Sequence, residues 1–366
     1  MKLGLGEKLK SYLYDIVVDK RRGVAALLIK SILLPLSWLY GLMVRILIFF
    51  SKFSPYRLRC RVVSIGNITL GGTGKTSLVE YIARYLKDHG HKAAVLSRGY
   101  KRKVTTSPGH HVTDYENMGD EPYMLSQHLG DIPVLVDTKR IRSAKKAIKE
   151  YGADTVVLDD ALQQWRIKKD LEIVAIDATN PFGNRYLIPR GILRQPVSSL
   201  NKTDIFILTK TNLNPYTARL SDFLKQISPQ AEIVEAQHTP KGFYDLLDPG
   251  KFIGTEALKN KTAALISGIG DPASFEHLVK SLGIHIGLSF RFPDHHNYTQ
   301  EELDEIISCC KTKNINTIIT TEKDAVRLDG LKFMVGGLEL LVLRIELKIT
   351  KNEEGLHDRL LKLYPV

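Results

Sequence analysis

Cysteine is scarce, and what there is has no chemical pattern. The 366-residue chain holds three, Cys60, Cys309 and Cys310, without a CxxC pair or metal-ligand spacing. That excludes a disulfide framework and a zinc site of the ribbon or finger type, and it suits a reducing cytosol. In that setting the Asn-x-Thr matches at Asn67, Asn201, Asn260 and Asn297 carry no glycosylation meaning. Low-complexity tracts and internal repeats are absent as well, which argues against solenoids and disordered tails. Nor do aromatics interleave with a basic stripe in the body of the chain, so no nucleic-acid partner is expected. No protein partner is evident.

Acidic residues are nearly missing from one end. Residues 1–62 carry 12 Lys and Arg against 3 Asp and Glu, so nine of the twelve excess positive charges lie there. The same stretch contains the most apolar segment, VAALLIKSILLPLSWLYGLMVRILIFF from Val24 to Phe50. Basic and apolar together point to an anionic membrane surface. A long charge-free run is lacking, however: Ser31 to Val44 as a helix reaches only ~21 Å, short of the ~30 Å hydrocarbon thickness. Lys30 and Arg45 can snorkel, Trp38 and Tyr40 suit an interface, and Lys20, Arg21, Arg22, Lys52, Arg57, Arg59 and Arg61 flank the run. The expectation is a shallowly embedded anchor, peripheral or monotopic. The competing reading is a buried helix pair broken at Pro35.

Beyond the anchor, short apolar runs alternate with helical patterns. Strands are expected at Arg61–Ile65, Ala93–Leu96, Pro133–Val136, Thr155–Leu158, Ile173–Ile176, Ile205–Leu208, Ala263–Ile266, Thr317–Thr320 and Leu340–Leu343. Helices are expected over Ser77–Gly90, Arg142–Tyr151, Pro272–Leu282, Gln300–Thr312 and Glu353–Leu363. This alternation implies an α/β fold with a mostly parallel, doubly wound sheet. The simplest division is a membrane-associated segment 1–54, a P-loop domain 55–200 and a smaller α/β domain 201–366, whose last helix packs on either domain.

Between the first strand and the first helix lies GNITLGGTGKTS, from Gly66 to Ser77. Its glycines let backbone N–H groups face phosphate oxygens, the helix start adds positive potential, Lys75 reaches the terminal phosphates and Thr76 is a Mg²⁺ ligand. The nucleotide-binding set is therefore Thr69, Gly71, Gly72, Thr73, Gly74, Lys75, Thr76 and Ser77, with Thr69 standing where the regular Walker A pattern has Gly. The strand Thr155–Leu158 runs into Asp159-Asp160, acids at the carboxyl end of a parallel strand that suit Mg²⁺ or its waters. Asn201-Lys202-Thr203-Asp204 matches a guanine-reading motif but precedes its strand, so it is set aside.

These residues, taken in order, resemble one family. SIGNITLGGTGKTS is followed by VLSRGYKRK at 95–103, MGDEP at 118–122, LDDALQ at 158–163, FGNRYLIPRGILRQP at 182–196, SGIGDP at 267–272, FPDHHNYT at 292–299 and TEKDAVRL at 321–328. The series is similar to that of the tetraacyldisaccharide 4'-kinases of lipid A synthesis. The resemblance implies transfer of the γ-phosphate of ATP, with Mg²⁺, to the 4'-hydroxyl of a tetraacylated disaccharide 1-phosphate at the cytoplasmic face of the bacterial inner membrane. It implies a P-loop NTPase-like domain facing a smaller α/β domain across a cleft, a catalytic Asp120 with His295 as partner, and Glu121, Asp159, Asp160 and Gln163 as further site residues. On that basis Thr76, Asp159, Asp160 and Gln163 form the expected metal set. The chain departs from the family pattern at Ala161, Gln164, Lys169 and Gln195, the last replacing a carboxylate in a loop expected to line the cleft.

Residue chemistry agrees with those roles. Pro122 disfavours helix just before it, so Asp120 and Glu121 are expected on a loop or helix start. A histidine beside a carboxylate orients and tunes it, and His295 is expected to meet Asp120 across the domain boundary. His296 is left open. Arg98 and Arg194, close to Gly99 and Pro196, are expected in loops and to bind the substrate's phosphate with Glu121 nearby, while Arg140 and Lys323 are further phosphate candidates. A membrane-bound P-loop ATPase switch is the main rival, but such switches carry an early lysine where Asn67-Ile68-Thr69-Leu70 has none.

Overall fold

The computed structural model describes residues 12–51, 53–99, 118–214, 216–328, 331 and 338–364. Lys52 and residues 100–103 of the VLSRGYKRK motif lie outside them.

Helix α1, Val24–Ser51, is continuous through Pro35 and about 42 Å long. Only Ala26, Ser37, Gly41 and Val44 are buried, the last three along one face at helical spacing. Leu27, Ile32, Trp38, Leu39 and Phe50 are each at least 65% exposed, so this is not the buried, broken helix pair.

The remaining elements follow in chain order: β1 Arg61–Gly66, α2 Lys75–Asp88, β2 Ala93–Ser97, α3 Asp120–Leu129, β3 Val134–Val136, α4 Arg140–Tyr151, β4 Thr155–Leu158 and β5 Leu171–Asp177. Then come β6 Ile205–Thr209, α5 Thr217–Ile227, β7 Glu232–Asp245, β8 Phe252–Ile253, β9 Thr262–Ser267, α6 Pro272–Ser281 and β10 His285–Arg291. The chain closes with α7 Gln300–Thr312, β11 Thr317–Thr321, α8 Glu322–Leu328, β12 Glu339–Lys351 and α9 Glu353–Leu361.

Two compact units divide these elements. The first comprises Met1–Arg98, Leu129–Gln237 and Lys348–Val366; the second comprises Gly99–His128 and His238–Leu347. The joint expected at residue 200 does not coincide with this division. Strand β6 pairs in parallel with β5, so the first sheet continues past that point, and β7 and β12 each run from one unit into the other.

In the first unit the parallel order is β3-β2-β4-β1-β5-β6-β7. Strands β2, β4 and β6 are buried at every position, as parallel strands covered on both faces must be. The carboxyl ends of β1 and β4 deliver the phosphate loop and the Asp159-Asp160 pair to the same edge. In the second unit β10, β9, β11 and β12 are parallel in that order, and β8 runs antiparallel to the end of β7. Alternate strand residues face opposite ways. Ala264, Ile266, Ile318 and Leu340 pack with Leu303, Ile306 and Cys310 of α7, whereas Ala263, Leu265, Ile319 and Leu341 pack with Phe275 and Val279 of α6.

Candidate active site

The phosphate loop enters α2 through Gly74, whose φ of 76° lies in the left-handed region that only glycine adopts without strain. A Cβ at Gly71 or Gly72 would meet nothing within 4 Å, so the loop faces open space there. Thr69 and Thr73 are buried, and Thr76 at the helix start is 8% exposed. Thr209 Oγ1 donates to the Thr73 carbonyl at 3.1 Å, tying the loop to the end of β6. Thr73 Oγ1 and Asn67 Oδ1 are buried without a hydrogen-bond partner among the described residues, so polar capacity remains at the loop.

Charges gather around Asp160, which holds a left-handed φ of 47° after β4. Lys75 Nζ lies 3.6 Å from its Oδ1. Arg194 Nη1 donates to both Asp160 oxygens, at 2.9 and 2.8 Å, and stands 3.4 Å from Gln163 Oε1. Burial pushes the Asp160 carboxyl up, but the Lys75 and Arg194 charges together outweigh it and hold the group below its usual range. Asp159 is 4% exposed and accepts the Ser97 hydroxyl on Oδ2 at 2.9 Å. Of the expected metal set, therefore, Asp160 and Gln163 both meet Arg194, whereas Asp159 faces Ser97.

One expectation for a basic residue and one for Gln195 change here. Arg140 is not a surface phosphate contact: it is 3% exposed and donates to the backbone carbonyls of Asp159 at 2.8 Å and Asp137 at 3.1 Å. It braces the acid-bearing turn. Burial pulls its guanidinium down to about 10, against the attraction of Asp159 and Asp160. Lys323 is paired with Glu121. Arg98 is exposed just past the end of β2. Gln195 is 1% exposed, with Oε1 lacking a partner among the described residues. It packs inside rather than lining an opening, and a neutral amide is cheaper to bury than an ionised carboxylate.

A second constellation forms in the other unit. Asp120 and Glu121 occupy the first turn of α3 ahead of Pro122, where a carboxylate gains from the helix dipole and a proline loses no hydrogen bond. Asp120 Oδ2 lies 2.9 Å from His295 Nδ1, although 175 residues separate them. The pair meets as expected, but not across a boundary: the excursion carrying Asp120 belongs to the same unit as His295. His295 sits at a φ of 61° and its N–H donates to the Gly268 carbonyl at 3.1 Å. His296 turns away, with Nε2 2.9 Å from Glu302 in the capping box of α7 and its ring stacked on Phe292.

Arg327 completes this group. Its Nε donates to Asp120 Oδ2 at 2.6 Å and its Nη1 to the Gly268 carbonyl and Asp324 Oδ1, at 3.0 and 3.1 Å. Asp324 in turn accepts from Tyr298, Thr321 and the Gly268 N–H. His295 Nδ1 is also 3.3 Å from Arg327 Nη2. One ring nitrogen cannot both donate to Asp120 and accept from Arg327. The shorter approach to a carboxylate puts the proton on Nδ1, which sets the tautomer. Burial raises the Asp120 carboxyl, yet His295 and Arg327 reverse that and leave it far below the usual carboxylate range. Arg327 stands in the TEKDAVRL motif without an expected role; its basic side chain in a motif that follows an apolar strand is the signal that points to it.

Among the described residues, no cluster of three or more His, Cys, Asp or Glu forms a protein metal cage. The oxygen donors beside the phosphate loop, the Thr76 hydroxyl and the Asp159 carboxylate, nonetheless fit Mg²⁺, which is ordinarily held by one or two protein oxygens together with phosphates and water.

The sequence pattern of the family described as Tetraacyldisaccharide-1-P 4'-kinase matches residues 29–364. A tetraacyldisaccharide 4'-kinase of Halothermothrix orenii is 33% identical over 372 residues, covering 95% of this chain and 97% of that protein. One from Syntrophobacter fumaroxidans is 39% identical over 286 residues, covering 76% and 74%. Among solved structures, LpxK from Aquifex aeolicus in complex with ATP aligns with a TM-score of 0.73 at 25% identity, covering 92% of this chain and 100% of that one. With its phosphate loop and both constellations lying inside the matched span, the chain belongs to the tetraacyldisaccharide-1-phosphate 4'-kinase family.

Proposed function

We infer that this chain is an ATP-dependent lipid kinase that transfers the γ-phosphoryl group of ATP to the 4'-hydroxyl of tetraacyldisaccharide 1-phosphate, a step in lipid A synthesis. The observation that carries the reading is the family match over residues 29–364, which includes every site residue named below and helix α1 from Ile29 onward. Phosphoryl transfer asks a protein for positioning, for neutralisation of phosphate charge, and for a group to take the acceptor's proton.

The backbone of Gly71–Gly74 and the Lys75 ammonium receive the ATP phosphates, with Thr69, Thr73 and Ser77 shaping the loop. Arg194, held by Asp160 and Gln163, adds a second cation at that end. Thr76 and Asp159 would hold Mg²⁺, which when bound supplies charge neutralisation to the phosphates. Asp120 and His295 act as one unit on the 4'-hydroxyl. The ionised Asp120 carboxylate receives the hydroxyl proton, and His295, with Nδ1 donating to that carboxylate, orients it. Glu121, Arg98 and Lys323 serve the phosphorylated sugar. Helix α1 presents its exposed apolar face to an anionic inner-membrane surface on the cytoplasmic side, in a monotopic mode.

The test is direct. Purified protein incubated with MgATP and the lipid disaccharide phosphate is expected to yield lipid heavier by one phosphate in a mass spectrum. ATP hydrolysis without lipid phosphorylation would favour the P-loop switch instead.

A further inference from the structure

Arg194 is gripped by its backbone from two directions. Its N–H donates to the Ile68 carbonyl at 2.8 Å, at the start of the phosphate loop, and its own carbonyl accepts the Tyr40 hydroxyl of α1 at 2.8 Å. On the same face of that helix, Ser37 Oγ donates to the Leu187 carbonyl at 2.7 Å. Gly41 follows, and a Cβ there would come within 2.6 Å of Leu187 Cδ1, so the glycine lets the leucine side chain lie directly against the helix. Ahead of the helix, Asp19 takes hydrogen bonds from Asn184 and Arg190 at 2.9 and 3.1 Å. The apolar helix is thus docked along the segment 184–194 by the few residues it buries.

We propose that Tyr40, supported by Ser37, is a positioning residue for phosphoryl transfer, the anchor helix holding the Arg194 carbonyl so that its guanidinium stays on Asp160 and Gln163. This rests on the role given above to Arg194 at the phosphate loop. Two hydrogen bonds on opposite sides of one residue fix where its side chain starts, and a cationic group at a transferring phosphate is sensitive to displacements well under 1 Å. Removing the Tyr40 hydroxyl leaves the Ile68 bond alone to set that position. Attachment to the bilayer and the geometry of catalysis therefore share one helix.

The experiment uses the full chain in mixed micelles of detergent and lipid substrate, so that surface attachment does not limit the rate. Tyr40→Phe keeps the ring and removes only the hydroxyl. Its kcat is expected to fall about threefold to tenfold, the range that one neutral hydrogen bond supports, while co-sedimentation with anionic phospholipid vesicles is unchanged. In an Arg194→Ala background the same substitution is expected to cost nothing further. Amide hydrogen exchange at Leu193 and Arg194 is expected to quicken in Tyr40→Phe, a readout independent of turnover. Wild-type kcat in Tyr40→Phe, an equal loss in both backgrounds, or unchanged exchange would overturn the proposal alone. A wild-type protein that adds no phosphate to the lipid would overturn the kinase reading, and this proposal with it.

Discussion

Arg327 Nε lies 2.6 Å from Asp120 Oδ2, and the arginine side chain is 1% exposed. A buried guanidinium beside a part-buried carboxylate holds that carboxylate ionised, which is what depresses its proton affinity here together with His295. The sign follows. A lowered native value means stability that is present above the ordinary carboxylate value of about 3.9 and is lost as pH falls through the lower native one. Arg327→Met removes the charge and leaves the burial, so the Asp120 carboxyl is expected to titrate at higher pH. The acid limb of kcat/KM should shift upward and acid unfolding should begin at higher pH than in wild type. Parallel pH–rate and pH–melting profiles check this; unchanged limbs in both would remove Arg327 from the site.

Asp120→Asn preserves shape and removes the charge that fixes the His295 tautomer. We expect kcat to fall by about two to four orders of magnitude, the usual range for general acid–base groups, with little change in ATP affinity. His295→Ala should cost less. In the proposed mechanism the two side chains act on one proton, so the double variant should lose far less than the product of the single losses. Steady-state kinetics on all three, with nucleotide affinity measured separately, decides it; strict multiplicativity would mean that the two act independently.

Lys75→Ala and Thr76→Ala address the other constellation. Lys75 is the ammonium at the phosphate loop and the partner of Asp160, so its loss should nearly abolish transfer and also weaken ATP binding. Thr76→Ala should leave a rate that responds more steeply to Mg²⁺ concentration. Titrating magnesium at fixed ATP reads this, and turnover close to wild type in either variant would sink the phosphate-loop assignment.

The anchor can be tested without touching the fold. Ile32 and Leu39 are each 65% exposed, so Ile32→Asp with Leu39→Asp should change stability by no more than about 0.5 kcal/mol per site. The same change places two charges on the face proposed to enter the membrane, and the protein should leave anionic vesicles at moderate salt. Vesicle co-sedimentation beside thermal melting separates the two effects.

Where local chemistry dictated structure, the sequence alone sufficed. The run Arg61–Ile65, the glycines and the amphipathic segment after them are a strand, a phosphate loop and a helix because apolar periodicity and left-handed turns are short-range properties. The apolar helix, the acids after β4 and nearly all the buried parallel strands were legible for the same reason. Strands β7 and β10 were not: Glu232–Asp245 and His285–Arg291 are half-polar, partly exposed stretches without a continuous apolar run, and pairing with neighbours makes them strands. The joint near residue 200 was misplaced because β6 gains its partners from the first sheet, a choice made by packing. Tertiary structure alone likewise brought Arg327 to Asp120 and Tyr40 to the Arg194 carbonyl, contacts between residues more than 150 positions apart. A motif states which side chains are present; which of them share a proton or a charge depends on where the chain returns, and that is set by the burial of whole faces.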